Sequence, residues 1–257
     1  MEWKNTMRIF AVAAITGGML AFVSGCGKKD RAAGPSGGSK KLVMVTEATF
    51  PPYEYMENSK IVGIDPEIVG EIARNLGYTL VIQDMKFDSV ILAVQTGKAD
   101  IAASGITVTS DRRKQVNFTV PYVTAVQVII VPKKSTIKTP DDLKGKRIGV
   151  QQGTMGDTYV RKHFGEPERY DSGALAVAAL RAGKLDAVVL DGEPSKVHVL
   201  EYPNEIMLLP VALTQEEYAF ALNKNNAKLL KAFNEELVKM RASGRLQQIL
   251  DKYLNEK

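Results

Sequence analysis

Apolar and polar positions follow two rhythms along this chain. From residue 41 the short apolar run "KLVMV" reads as a strand that ends in the polar turn "TEAT". In "DPEIVGEIARNLGY", Ile68, Val69, Ile72, Ala73 and Leu76 recur at helical spacing. Asp65 reads as the cap of that helix, Pro66 as its first residue and Gly77 as its stop. "TLVIQDM" reads as a strand, "DSVILAVQTG" as a helix ending at Gly97, and "ADIAAS" as a buried strand. Further on, "KRIGV" and "LDAVVLD" read as strands, and "MGDTYVRKHFG" and "GALAVAALRAG" as helices. Strands alternating with helices predict an α/β fold with mostly parallel sheets covered on both faces.

The pattern occurs twice. "AVQTGKADIAAS" (93–104) matches "AALRAGKLDAVV" (178–189) in its apolar helix end, Gly-Lys, one residue, Asp, then an apolar strand. Earlier in each half, "KLVMVTEAT" (41–49) parallels "KRIGVQQGT" (146–154). Two similar lobes are expected. The extended runs "AVQVIIVPKK" (125–134) and "EEYAFALNKN" (216–225) lie between the halves and predict a two-strand hinge. The expected division is 42–125 plus 218–257 for lobe 1 and 126–217 for lobe 2. A hinged cleft of this kind favours a small-molecule site.

The first 41 residues differ. "MEWKNTMR" is basic, and "IFAVAAITGGMLAFV" is apolar but shorter than the roughly 20 residues a membrane-spanning helix needs. It ends in "VSGC", which resembles the lipobox of bacterial lipoproteins, with Val23 in place of the usual leucine. That resemblance implies a signal peptide over 1–25 and acylation of Cys26, the chain's one cysteine. The Gly-, Ser- and Lys-rich stretch that follows reads, with Cys26, as a flexible tether over 26–41. The expected location is the outer face of a bacterial cell membrane, or the periplasm.

Charge narrows the function. Of the net +5, Lys4, Arg8, Lys28, Lys29, Arg31, Lys40 and Lys41 face only Glu2 and Asp30 in the leader and tether. The folded remainder is close to neutral, so no nucleic-acid partner is expected. With two histidines and one cysteine, no metal site, cofactor or Cys–His dyad is expected either. His163 and His198, in charged helical stretches, are expected to be exposed, and Asp100 and Asp186 to be turn residues entering equivalent strands.

Ligands gather at the carboxyl ends of strands in open parallel sheets. Here those ends are "TEATF", "SGITVTSDR", "QQGTMGD" and "LDGEPS". In "ASGITVTSDRRK" (103–114) small residues and hydroxyls lead to Arg112, read alone as a residue at the start of a helix capped by Ser110. "ATFPPYEY", "VGIDPEIVGEIARNLG", "SGITVTSDRRKQVNFTVPY" and "LKGKRIGVQQGT" together resemble the polar amino-acid family of extracellular solute-binding proteins, which feed ABC importers. The resemblance runs from about residue 41 to 257 and implies a type II periplasmic-binding fold that closes on one L-amino acid.

It implies that Arg112 clamps the ligand α-carboxylate, that Thr107 and the backbone at Ser104 and Gly105 bind ligand backbone groups, and that Asp191 takes the α-ammonium. Gly153 and Thr154 would meet the carboxylate from lobe 2. Phe50 and Phe87 would flank the side chain, with Glu47 at its end and Gln151 at a variable position nearby. A carboxylate with aromatic faces suits a cationic side chain, arginine- or lysine-like. Glutamine binders also carry an acid at the position of Glu47, and Met155 stands where relatives often have a small or hydroxyl residue. Arg113 is expected at the surface, and Tyr53 as a packing residue behind the "FPP" turn. The expected partners are a free amino acid and membrane permease subunits, and the expected state is a monomer. Two other classes compete. A cyclohexadienyl dehydratase resembles this fold but needs a cleft acid. A sensor module needs membrane-spanning segments, and no sufficiently long apolar stretch follows residue 26.

Overall fold

The structure, a computed structural model, describes residues 40–255; the leader, Cys26 and most of the tether lie outside that range. Strand β1 (Lys40–Thr46) shows how the first lobe is layered. Leu42 and Met44 point into one core, Val43 and Val45 into another, as the two-residue period of a strand requires. A small antiparallel sheet follows, made of β2 (Thr49–Phe50), β3 (Glu54–Glu57) and β4 (Lys60–Val62). Helix α1 (Ile64–Asn75) buries Ile68, Val69, Ile72 and Ala73 against the first core. Strand β5 (Tyr78–Asp84) then pairs parallel with β1, from Lys40 opposite Tyr78 to Thr46 opposite Asp84. Helix α2 (Phe87–Gln95) covers the other face through Val90 and Val94, and β6 (Ile101–Ala102) joins β1 on its free side. Helix α3 (Ser110–Gln115) and β7 (Asn117–Phe118) complete this half.

The chain crosses through β8 (Val123–Ala125) into β9 (Gln127–Pro132). The second lobe repeats the plan with β10 (Ile148–Gln151), α4 (Met155–His163), β11 (Glu168–Tyr170), α5 (Gly173–Arg181), β12 (Ala187–Asp191), α6 (Gly192–Glu201) and β13 (Ile206–Leu208). It returns through β14 (Glu216–Tyr218) and β15 (Ala221–Leu222), and α7 (Ala227–Ala242) and α8 (Arg245–Leu254) pack back on α1. The sheet orders are β5-β1-β6-β15-β7 and β11-β10-β12-β9-β13, the same arrangement twice. In each sheet one strand runs against the other four, β15 in the first and β9 in the second. Those reversed strands continue β14 and β8, which pair antiparallel as the two-strand hinge.

Three local expectations change. Helix α1 begins after Gly63, whose φ of 128° and close approach to the Tyr53 carbonyl leave no room for a Cβ; Asp65 lies inside the helix and bonds distant groups instead of capping it. Thr109, not Ser110, caps α3, its hydroxyl accepting the Arg112 N–H at 3.1 Å. His198 is buried, not exposed: with Gly192, Pro194 and Ser195 it is among the buried residues of α6, which packs on β9, β12 and β13. Burial holds its imidazole below the usual histidine range. His163 is exposed and lies against Tyr159, with ring centroids 4.4 Å apart.

Candidate functional site

The four strand-end loops meet between the lobes. Glu47 follows β1, Ser104 and Gly105 follow β6, Gln151 ends β10 with Gln152 to Thr154 after it, and Asp191 ends β12. With Phe50, Phe87, Thr107, Arg112 and Met155, these loops line one enclosed pocket. Gly153 stands outside the lining, but its carbonyl accepts from Arg112. The remaining cavity is about 10 Å³, room for about one water. Anything larger therefore enters only when the lobes part.

Arg112 spans the cleft. Its Nη1 donates to the Thr107 carbonyl at 2.9 Å and its Nη2 to the Gly153 carbonyl of the other lobe at 3.0 Å. The guanidinium carbon lies 5.4 Å from the centre of the Phe87 ring, and Asp191, Glu216 and Tyr218 face the charge. Helix α4 points its first turn at the same space, so the N–H groups of Met155 and Gly156 are donors the helix itself cannot pair. Thr154 is its cap: the hydroxyl accepts from the Asp157 N–H at 3.3 Å and donates to the Gln151 carbonyl at 2.8 Å. An anion between Arg112 and this helix end meets a guanidinium and a positive dipole together.

Opposite charge is supplied by Asp191 and Glu47. Asp191 is buried, and the Tyr218 hydroxyl donates to it. Burial, reinforced by nearby Glu216, raises its carboxyl to about 7. Glu47, also buried, accepts from Thr49 and from the Gln151 amide of the other lobe at 3.2 Å. Burial raises it above the usual carboxylate range. The pocket thus sets two carboxyl groups against one guanidinium.

Other predicted residues serve the frame. The Thr107 hydroxyl donates to Glu216 at 2.7 Å, so it is already committed. Thr107 also bridges Tyr218 with the flanking bonds Val108 N–H to Glu217 and Ala219 N–H to Ile106, which turns its own N–H and C=O away from Tyr218. The Gly105 N–H donates to Asp65 at 3.1 Å, and the Ser104 hydroxyl to Glu54 at 3.0 Å. Gly105 has φ of 51°, and a Cβ there would lie 2.7 Å from the Phe50 ring. Tyr53 packs behind, its ring 5.8 Å from Phe50. At the rim, Lys86 meets Asp171 at 2.8 Å and Gln152 meets Asp88 at 2.8 Å across the lobes. Both contacts are exposed, so water screens them and neither holds the lobes together strongly.

The model of the bacterial extracellular solute-binding proteins, family 3, matches residues 42–256. The chain belongs to this family. It is 30% identical over 255 residues to the arginine-binding extracellular protein ArtP of Bacillus subtilis (strain 168), covering 97% of this chain and 98% of that one. Among solved structures it is similar to an ancestral arginine-binding protein bound to arginine, at 37% identity and TM-score 0.78, over 83% of this chain and 97% of that one. The arginine-, lysine-, histidine-binding protein ArtJ from Geobacillus stearothermophilus is 31% identical with TM-score 0.80, over 85% of this chain and 96% of that one.

One residue of this solute-binding protein escaped the sequence reading of the site, Tyr218, and another, Met155, was noted there only as a departure from relatives. Met155 lines the pocket because it opens α4, and the Gly-Thr cap before it is the signal that could have placed it. Tyr218 reaches Asp191 from the hinge strand β14. Its sequence setting, "EEYAFAL", gives only a strand.

Proposed function

We propose that this protein captures a cationic L-amino acid, arginine- or lysine-like, between its lobes and delivers it unchanged to the permease of an ABC importer. The observation that carries the reading is the charge count in the pocket: Glu47 and Asp191 against Arg112. A zwitterion places its carboxylate on Arg112 and the α4 N-terminus, and its ammonium on Asp191. Glu47 then remains buried beside Phe50, and a cationic side chain neutralises it. A neutral amide leaves that charge uncompensated. The names of ArtP and ArtJ, and the arginine bound to the ancestral protein, support the same ligand class. Opening about β8 and β14 admits the ligand, and closure joins its two lobe-bound ends. In this reading Cys26 carries the lipid that holds the protein at the outer face of the cell membrane, and 26–41 is the tether.

The selectivity test is Glu47→Gln. L-Arginine affinity falls about 10- to 100-fold by calorimetry, whereas L-glutamine affinity holds or improves. An unchanged ranking of the two ligands removes Glu47 from side-chain recognition.

A further inference from the structure

Behind the pocket floor lies a pair of acids that ligand binding does not use. Glu54 from β3 and Asp65 from α1 are both 0% exposed and within hydrogen-bond reach of each other. The donors around them can be traced one by one. Asp65 Oδ1 accepts from the Tyr122 hydroxyl at 2.5 Å and Oδ2 from the Gly105 N–H at 3.1 Å. Glu54 Oε1 accepts from the Ser104 hydroxyl at 3.0 Å. Glu54 Oε2 is buried and no donor reaches it. Among the described residues, the other ionisable groups acting on the pair are Glu47, Tyr53 and Tyr122, and none of these is a cation.

Two carboxylates cannot both stay ionised in such a place. Asp65, with two donors, is the better anion, and the orphan oxygen of Glu54 is the place for a proton. We infer that Glu54 is a neutral carboxylic acid whose Oε2 proton is donated to Asp65, and that this pair is a positioning device for the ligand site. Three hydrogen bonds transmit its geometry. Asp65 fixes the Gly105 N–H, and Ser104, oriented by donating to Glu54, accepts the Glu47 N–H at 3.0 Å. Through Tyr122, just before β8, the same pair ties the floor to the hinge. Burial and the Asp65 charge raise Glu54 well above the usual carboxylate range, in agreement with this assignment.

The role in positioning rests on the proposed ligand site; the proton itself does not. The first experiment is infrared spectroscopy of the full-length protein labelled with 13C-glutamate. A protonated-carboxyl band that moves with the label is expected at about pH 7, far above the glutamate range near 4.3, and is absent from Glu54→Gln. No such band, or one that survives in the variant, overturns the assignment. The sign of the linked stability is fixed: the folded form holds a proton that the unfolded chain releases above about 4.3, so stability falls as pH rises from there. Glu54→Gln flattens that decline, and an unaltered slope counts against the proposal. Glutamine keeps both hydrogen bonds of a neutral acid, so Glu54→Gln retains L-arginine affinity within about threefold, while Glu54→Ala loses about tenfold or more. Equal losses in the two variants overturn the positioning role. If the unaltered protein fails to bind arginine, the ligand reading falls, and the band and the stability slope still decide the proton.

Discussion

Replacing Arg112 with alanine is expected to abolish measurable amino-acid binding and leave the fold intact. The residue stands on α3, a helix with no buried residues, and its bonds run to two backbone carbonyls, so its loss removes little from the core. Its guanidinium, set over Phe87 and shared by both lobes, is the one cation among the pocket-lining side chains. A desolvated carboxylate deprived of such a partner costs about 3–5 kcal/mol, a loss on the order of 100- to 1000-fold or more. Lysine does not rescue it, since a point charge cannot hold the two carbonyls and grip a carboxylate as a fork. Arg113→Ala is the internal control: Arg113 is exposed, 5.8 Å from the Phe118 ring, and its removal leaves affinity within about threefold. Calorimetry with circular dichroism on the three variants checks this. Near-normal affinity in Arg112→Ala sinks the carboxylate assignment.

Asp191 gives the second large effect, visible in pH as well as in affinity. Its carboxyl is raised to about 7, first by burial and then by Glu216, with the Tyr218 hydroxyl working the other way. A ligand ammonium favours the ionised form, so the bound protein holds fewer protons at Asp191 than the free one. Affinity therefore falls as pH drops below about 7, by at most about tenfold per unit, and levels off above it. For the folded protein without ligand the sign reverses: the raised group binds protons that the unfolded chain has lost, so its contribution to stability declines as pH rises towards about 7. Glu47, also raised, titrates in the same direction, and Asp191→Asn separates the two. That variant loses about 2–4 kcal/mol of binding and most of the pH dependence. A flat profile in the unaltered protein between about pH 8 and pH 6, or unimpaired binding by Asp191→Asn, contradicts the ammonium role.

The repeat was readable because the two halves solve one local problem in one way. Asp100 accepts the Val43 N–H at 2.7 Å and Asp186 the Arg147 N–H at 2.9 Å, so each Gly-Lys-x-Asp motif ties a strand entry to its neighbour. The pocket-facing loops followed from strand ends, and the residues in them from the family resemblance. Asp65 and His198 were misread for a shared reason. Sequence neighbours made one a cap and the other a surface residue, whereas their partners lie far along the chain. Gly105 and Tyr122 hold Asp65 from 40 and 57 residues away, and α6, which buries His198, packs on β9, β12 and β13. Ser110 and Thr109 are both fit to cap, and only the start of α3 selects Thr109. The commitment of the Thr107 hydroxyl to Glu216, 109 residues on, is likewise invisible to local pattern.

The central claim, reversible capture of a cationic amino acid, meets its most direct test in calorimetric titration of the purified protein with L-arginine, L-lysine and L-glutamine, with mass spectrometry of the recovered ligand. One arginine or lysine bound per chain, at least about tenfold tighter than glutamine and recovered unchanged, is the expected result. Tighter binding of glutamine, no binding of any of the three, or a chemically altered ligand contradicts it.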